Sequence, residues 1–284
     1  RISKGWGKLS TTLLLLIGLI LAISVGQLIR HNHGFANRPI CKQYPELSIV
    51  RDGRFKHRSL ETLPYNNSMI HVTDTKSFPN IVFAGDSHLQ QYHLRIKLLS
   101  KKYDTVAAMV TAGGCYILNP SSSIEDCEKE SHNFYQLLGD PRIKTVVIAQ
   151  KWGGYDIQSP EFLNGFDIFR KALQTRPYIL LDPPWDEGPA GSQGTYDPYK
   201  HFNRASFKLE DFIVPYPEMN LWKNGNRVVY EQLRDVATII SIEKYVCPNQ
   251  QCNLLKWYHD DDHLQPLRIE AEGAWLDQTF TNHY

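Results

Sequence analysis

The sequence carries almost no net charge, because its 31 lysines and arginines nearly balance its 30 aspartates and glutamates, which gives a net charge of +1 at pH 7. The basic residues do not gather into a patch or a stripe, so the chain lacks the electrostatic signature of a nucleic-acid-binding protein. Internal repeats and low-complexity tracts are also missing from the sequence. A chain of 284 residues is expected to hold one sizeable domain with additional segments.

Cysteine is scarce, with five residues in the whole chain. Cys115 and Cys127 lie 12 positions apart, and Cys247 and Cys252 lie 5 apart. These spacings do not match the usual zinc sites, so we predict no metal centre. Two local pairs of this kind favour disulfides formed in an oxidising compartment. Cys41 is left over and is expected to be a free thiol.

Long apolar runs are absent except for residues 9–29, which contain 21 residues without a charge. At about 1.5 Å per residue, a helix of this length spans a hydrocarbon core of about 30 Å. A secretory signal peptide or a buried core helix is the competing interpretation. Arg1, Lys4 and Lys8 precede the run and Arg30 follows it, so the N-terminus is expected in the cytoplasm and the rest outside.

The pattern along the chain predicts three parts: a cytoplasmic stub and transmembrane helix over 1–30, a linker or extension over 31–77, and a catalytic domain over 78–284. In the last part, short apolar runs alternate with helical patterns, which is typical of an α/β fold with a doubly wound parallel sheet. Strands are predicted over residues 81–84, 105–110, 145–149, 178–181 and 241–246. Helices are predicted over residues 88–102, 124–138, 160–174 and 227–240.

Residues 81–92 place a serine on a sharp turn between a strand and a helix. An apolar run ends at Gly85 and Asp86, which are turn residues, and apolar residues recur at helical spacing from His88 onward. Ser87 is therefore expected at the carboxyl edge of a sheet, with its own N–H beside the hydroxyl. A helix N-terminus there would favour the oxyanion of a tetrahedral intermediate. A G-D-S tripeptide also occurs in ordinary turns, so a second motif has to support this hypothesis.

The second motif is an acidic triplet followed by a histidine near the C-terminus. His263 is the candidate general base, because an imidazole titrates near neutral pH and can accept the serine proton. Asp260, three residues before it, is the candidate acid that orients the imidazole, and Asp261 is the alternative. Without Ser87, the same stretch would be interpreted as an acidic surface loop.

Four segments in this order resemble the SGNH/GDSL hydrolase family, and most closely the branch fused to the C-terminus of membrane acyltransferases of family 3. They are residues 85–87, 111–118, 146–155 and 260–266. The resemblance implies an oxyanion hole formed by the N–H groups of Ser87 and Gly114, with Gly113 as the alternative glycine. Family hydrolases carry an asparagine in the third segment, whereas this chain reads Gln150-Lys151-Trp152, so the second side-chain donor stays open.

The resemblance also implies a function. The fold would be a flavodoxin-like three-layer sandwich, and Ser87 would carry an acetyl group to a hydroxyl of a cell-envelope glycan, namely O-antigen, exopolysaccharide or peptidoglycan. Lys151, Trp152 and Tyr155 are the candidate substrate-binding residues. No cofactor is expected in this domain, because acetyl-CoA would supply the acetyl group through a membrane domain upstream of Arg1.

This expectation places the protein in a bacterial inner membrane with its catalytic domain in the periplasm. The alternatives are a membrane-anchored carbohydrate esterase with the same triad and a glycan-binding module without catalysis.

Overall fold

The computed structural model describes residues 60–66, 68–185, 213–215, 221–258 and 263–281, together with Leu21 and Ser24. From residue 60 onward, these ranges belong to one compact unit that spans 52–284. Within the described part of the chain, no helix combines the length and apolar character that crossing a bilayer requires. The apolar run at 9–29 lies outside the described residues except for Leu21 and Ser24, and Cys41 lies outside them as well.

The main sheet is mostly parallel, which confirms the predicted α/β class. Its neighbouring strands follow the order β1-β2-β4-β3-β5-β6-β8, and a separate pair joins β7 to β9. The five parallel strands therefore follow the flavodoxin-like order 2-1-3-4-5. The strands are β1 (Glu61–Tyr65), β2 (Ser68–Val72), β3 (Ile81–Gly85), β4 (Ala107–Thr111), β5 (Thr145–Ala149), β6 (Tyr178–Leu180), β7 (Ile213–Pro215), β8 (Thr238–Ile240) and β9 (Gln251–Asn253).

The described helices connect and cover these strands. They are α1 (Ser87–Gln90), α2 (His93–Lys102), α3 (Glu125–Leu138), α4 (Pro160–Ala172), α5 (Leu221–Leu233), α6 (Glu243–Val246), α7 (Leu254–Trp257), α8 (Pro266–Glu272) and α9 (Gln278–Thr281). The helices predicted over 124–138 and 160–174 correspond to α3 and α4. The helix predicted over 88–102 is divided into α1 and α2, with Gln91 and Tyr92 between them.

Two predictions near the C-terminus are wrong. The helix predicted over 227–240 is α5, which ends at Leu233, and the strand predicted over 241–246 is the short helix α6. The fifth parallel strand instead occupies Thr238–Ile240, where Ile240 pairs with Leu180 of β6. A strand of three residues is too short to show alternation in the sequence, so the helical periodicity on its N-terminal side extends over it.

Apolar side chains cover both faces of the sheet. Val82 and Ala84 of β3 belong to a buried cluster that also contains Phe134 of α3 and Phe166 of α4. Phe83 points to the other face, because successive strand residues alternate, and its ring stacks on Phe280 of α9 at 5.8 Å between centroids. Burial on both faces explains why the parallel strands read as nearly continuous apolar runs.

The segment predicted as a linker or extension contributes to this sheet. Strands β1 and β2 pair antiparallel with each other, and β2 pairs antiparallel with β4 at the edge of the parallel strands. The hydroxyl of Tyr65 donates to the carbonyl oxygen of Gln136 at 3.1 Å and so connects the hairpin to α3. These strands lie before the predicted domain start at residue 78.

Both predicted cysteine pairs are bonded in the structure, Cys115 to Cys127 and Cys247 to Cys252. The first disulfide joins the loop after β4 to α3. The second joins the end of α6 to β9, the strand that shortly precedes the segment containing His263. The two disulfides therefore hold loops at or near the carboxyl edge of the sheet.

Gly85 is required where β3 approaches β5. A Cβ atom at this position would lie 1.8 Å from the carbonyl oxygen of Ala149, a backbone atom that cannot move aside. We expect Gly85→Ala to lower the free energy of unfolding by about 3 kcal/mol, as overpacking of a buried site does. Denaturant unfolding measures this loss. Gly113→Ala is the control, because a Cβ at Gly113 meets nothing within 4 Å, and equal losses for both variants would contradict the explanation.

Candidate functional site

The parallel strands bring the separate sequence motifs to one edge. Gly85, the last residue of β3, lies opposite Thr111 in β4 and Ala149 in β5. The segments that follow these three residues contain Ser87, Gly114 and Lys151. Because the carboxyl ends of parallel strands meet at the same edge, the three loops form one face of the domain, which is where open α/β sheets place their sites.

A hydrogen bond joins the candidate nucleophile to the candidate base. His263 Nε2 lies 2.9 Å from Ser87 Oγ, although the two residues are 176 positions apart in the sequence. Both residues are half-buried. Asp260 and Asp261 lie outside the described residues, so the acid of the triad stays a prediction. The contact between a serine hydroxyl and an imidazole nitrogen has the distance that proton transfer between them requires.

The segment after His263 is held by hydrogen bonds from two sides. The backbone N–H of Leu264 donates to Gln91 Oε1 at 2.6 Å, and the N–H of Gln265 donates to the carbonyl oxygen of Trp257 at 2.7 Å. Gln91 occupies the break between α1 and α2, where its side chain is fully buried. The interruption of the predicted helix therefore supplies a side chain that positions His263 beside Ser87.

Ser87 itself is positioned by Asp86, whose carboxylate caps α1. Asp86 Oδ1 accepts from the N–H of His88 at 2.8 Å, while Oδ2 accepts from the N–H of Lys151 at 3.0 Å and from the hydroxyl of Tyr155 at 2.7 Å. Burial raises the pKa of Tyr155 well above its ordinary value, so the phenol keeps the proton that it donates. Asp86 thereby fastens the serine turn to the loop after β5.

The loop after β4 forms a tight turn at Gly114. The N–H of Cys115 donates to the carbonyl oxygen of Ala112 at 3.2 Å, and Gly114 adopts a φ of 72°. This is the pattern of a type II turn, whose third residue has positive φ and is usually glycine. Gly113 does not adopt positive φ. The backbone therefore distinguishes Gly114 from the alternative glycine at this site.

A cavity of about 420 Å³ adjoins this turn. Its walls come from α1, the glycine turn and the first half of α3, with the Cys115–Cys127 disulfide between them. The polar side chains in the lining include Gln90, Asp126 and Glu130. Burial raises the pKa of Glu130. The cavity has the size of a small-molecule site and offers both carboxylates and an amide to hydroxyl groups.

The three candidate substrate-binding residues have different surroundings. Trp152 is fully buried and its indole N–H donates to the carbonyl oxygen of Leu180 at 2.8 Å. The prediction that Trp152 contacts substrate is therefore corrected, because a ring packed in the core presents no face to a sugar. Tyr155 is half-buried with its hydroxyl on Asp86, and Lys151 is half-buried with Nζ 4.6 Å from the Trp185 ring.

Gln150, which stands in the third motif, is also buried. Its Oε1 accepts from the backbone N–H of Ile117 at 2.7 Å, so the side chain ties the end of β5 to the loop after β4. This contact positions the two loops relative to each other. It assigns Gln150 a role in loop geometry.

Sequence reasoning missed a buried pair next to these residues. His88 Nδ1 lies 2.9 Å from Asp182 Oδ1, and the His88 ring lies 4.9 Å from the His263 ring. His88 follows the serine directly, but Asp182 is 94 positions further along the chain. The only sequence signal was the position of Asp182 just after a predicted strand, at the edge where sites gather.

A family model described as "SGNH domain (fused to AT3 domains)" matches residues 56–267. The chain belongs to this family. The match begins before β1 and ends in the first turn of α8, so it covers the whole parallel sheet together with Ser87 and His263. Membership in the family and the α/β fold together indicate an esterase or acyltransferase enzyme.

Two solved structures resemble this SGNH domain at low sequence identity. A protein from Slackia heliotrinireducens, named as an SGNH hydrolase, is 14% identical with a TM-score of 0.46 and covers 72% of this chain and 99% of its own. The periplasmic domain of a lipopolysaccharide acetyltransferase from Salmonella ser. Paratyphi A is 10% identical with a TM-score of 0.48 and covers 85% and 96%. Both scores lie below 0.5, so neither likeness says anything about activity. No curated protein sequence matches the chain.

Proposed function

We propose that this SGNH domain transfers an acetyl group through Ser87 to a hydroxyl of a bacterial cell-envelope polysaccharide. The observation that carries the proposal is the contact of 2.9 Å between Ser87 Oγ and His263 Nε2. A serine hydroxyl is a weak nucleophile until a base removes its proton, and His263 is placed to do so. The family, in which this domain is fused to AT3 domains, supplies the context of acyl transfer.

The reaction proceeds in two halves. In the first, Ser87 Oγ attacks the carbonyl carbon of the acetyl donor while His263 Nε2 takes the hydroxyl proton, and the proton then passes to the departing group of the donor. In the second, a glycan hydroxyl attacks the acetyl ester while His263 takes its proton, and the proton returns to Ser87 Oγ as the ester bond breaks. Asp260 would orient His263, and the N–H groups of Ser87 and Gly114 would donate to the oxyanion of each tetrahedral intermediate.

The acetyl donor would come from the membrane domain to which the family is fused. That domain would take the acetyl group from acetyl-CoA, so the SGNH domain needs no cofactor of its own. Its disulfides fit an oxidising compartment such as the bacterial periplasm. The inner membrane would then hold the chain through residues 9–29, with the catalytic domain outside the cytoplasm.

The cavity beside Gly114 is the place that we propose for the acceptor. A volume of about 420 Å³ accommodates a sugar ring with its substituents. Gln90, Asp126 and Glu130 offer hydrogen-bond partners to sugar hydroxyls there. Lys151 is the further candidate contact, because it is only half-buried.

Intact-mass analysis of the full chain mixed with 4-nitrophenyl acetate tests the proposal. We expect one acetyl adduct on Ser87, which disappears as a bacterial polysaccharide fragment gains acetyl. If the adduct is lost only as free acetate, and the polysaccharide does not change the rate of that loss, the result would favour the esterase. If the folded protein forms no adduct and does not react with a fluorophosphonate, both the acetyltransferase and the esterase hypotheses would be contradicted. The result would then favour a glycan-binding module.

A further inference from the structure

The buried pair of His88 and Asp182 lies directly behind the candidate base. His88 is 1% exposed and Asp182 is 3% exposed. The His88 and His263 rings are tilted by 57° at 4.9 Å between centroids, which is direct packing contact. The reaction proposed above assigns no role to this pair, although a histidine paired to a carboxylate is the arrangement that tunes a catalytic base.

Asp182 is held as a hydrogen-bond acceptor. Its Oδ2 accepts from the N–H of Trp152 at 2.7 Å and from the indole N–H of Trp185 at 3.3 Å, and both of these groups can only donate. Its backbone is held by Asn226, whose Oδ1 accepts from the Asp182 N–H at 2.9 Å while its amide donates to the Asp182 carbonyl at 3.0 Å. These hydrogen bonds fix the position of the Asp182 carboxylate just after β6.

We assign the proton between the two side chains to His88. Burial raises the pKa of Asp182, and the neighbouring His88 opposes that rise. An imidazole nitrogen is nevertheless the stronger base, with an ordinary pKa of about 6.5 against about 3.9 for aspartate. We therefore expect His88 Nδ1–H to donate to an ionised Asp182 across the 2.9 Å that separate them. A second proton on His88 would create an imidazolium in contact with His263, where another positive charge develops during the reaction.

We propose that His88 and Asp182 form a second histidine–carboxylate pair with a net negative charge, which stabilises the protonated ring of His263 during acyl transfer. The inference rests on the proposed function of Ser87 and His263. His88 and Asp182 are positioning residues here, because they act through His263 and are not assigned any contact with substrate.

Among the described residues, the other ionisable side chains close to the pair are Tyr92, Tyr155, Asp86 and Lys151. Burial raises the pKa values of Tyr92 and Tyr155, so both phenols remain neutral. Asp86 accepts three hydrogen bonds, and Lys151 lies over the Trp185 ring that contacts Asp182. A change in the acid limb of the pH profile on altering Asp182 therefore reports the charge of the pair acting on His263.

The first arm of the test needs no variant of Asp182 and no turnover. ¹⁵N NMR of the full chain with labelled histidine, assigned by the signals lost in His88→Asn, reports the protonation of the His88 ring. We expect the neutral ring protonated on Nδ1 at pH 7. An imidazolium, or a ring without a proton on Nδ1, would leave the pair without net charge and would overturn the proposal. A failure of the proposed function would not affect this readout.

The second arm measures the pH dependence of kcat/KM for 4-nitrophenyl acetate in Asp182→Asn. Removing the negative charge makes the His263 imidazolium less stable, so the ring loses its proton at lower pH. We expect the acid limb to move down by about one pH unit and the plateau to fall about tenfold. Asp235→Asn, which removes an exposed carboxylate paired with Arg170, should leave the limb in place.

An unchanged or raised limb in folded Asp182→Asn would overturn the proposal, even if the variant were less stable, because a purely structural role changes stability without moving the limb. Should this variant not fold, the NMR result on the unaltered chain decides the question. Absence of turnover in the unaltered chain would count against the proposed function and not against the protonation state of His88.

Discussion

Replacing Ser87 with alanine is expected to abolish both acetyl adduct formation and transfer to glycan, with a fall of at least about 10⁴-fold in rate. The variant removes the hydroxyl oxygen that lies 2.9 Å from His263 Nε2, and with it the nucleophile that this base is placed to activate. The measurement is the rate of 4-nitrophenolate release together with the intact mass of the protein. Folding should survive, because Ser87 is half-buried and alanine fits the first position of α1.

The matched control is Ser100→Ala. Ser100 is a buried serine of α2, and its hydroxyl has no role in the proposed reaction. It should keep the adduct and the rate of the unaltered chain within about twofold. Adduct formation that persists in folded Ser87→Ala would mean that another group carries the acetyl, and the assignment of Ser87 would be wrong.

The sequence was informative wherever a physical pattern repeats over several residues. Strands β3 and β5 appeared as apolar runs because both faces of a central parallel strand are buried. Because a parallel sheet brings the carboxyl ends of its strands to one edge, the sequence alone could place Ser87, Gly114 and Trp152 there, each of which follows a predicted strand. The two disulfides could also be predicted, because the chain has only five cysteines and four of them form two pairs that are close in sequence.

The features that could not be predicted from the sequence depend on contacts between residues that are far apart in the chain. His88 and Asp182 are each ordinary in their local sequence, and only the close approach of α1 to the end of β6 makes them a pair. Trp152 looked like a sugar-stacking ring because it follows a strand, yet the same position buries it beneath α5, where Gly153 and Gly225 allow the backbones to touch. Strand β8 was hidden for a different reason, because its apolar residues continue the helical spacing of α5 and the pattern therefore predicted one helix over both.

Gln91 shows how a local irregularity can serve the site. Helical periodicity continues through it, and the sequence predicts one helix over 88–102. The structure ends α1 at Gln90 and starts α2 at His93. A single turn of helix carries only a small dipole, so the N-terminal charge expected at Ser87 is weaker than a long helix would supply. The oxyanion must then depend mainly on individual N–H groups, which makes the geometry of the serine turn more important.

That geometry depends on Asp86, and Asp86→Asn is expected to be the second most damaging substitution. The carboxylate accepts hydrogen bonds from the N–H of His88, the N–H of Lys151 and the hydroxyl of Tyr155. An asparagine has an NH₂ group in place of one carboxylate oxygen, and this group cannot accept a hydrogen bond. It would therefore leave either the N–H of His88, or the N–H of Lys151 and the hydroxyl of Tyr155, without an acceptor. We expect a loss of about 3 kcal/mol in the free energy of unfolding, the size of an unsatisfied buried hydrogen-bonding group.

The loss of activity should exceed what instability alone explains. In the fraction of Asp86→Asn that remains folded, Ser87 is no longer fastened to the loop after β5, and a displacement of about 1 Å costs about 10²-fold in rate. Denaturant unfolding and the rate of 4-nitrophenyl acetate turnover, both at a temperature where the variant is folded, separate the two effects. Asp74→Asn is the control, because Asp74 accepts from the N–H of Lys76 in an exposed turn and should lose less than about 1 kcal/mol. Equal stability and activity of the two variants would show that Asp86 serves only as an ordinary turn residue.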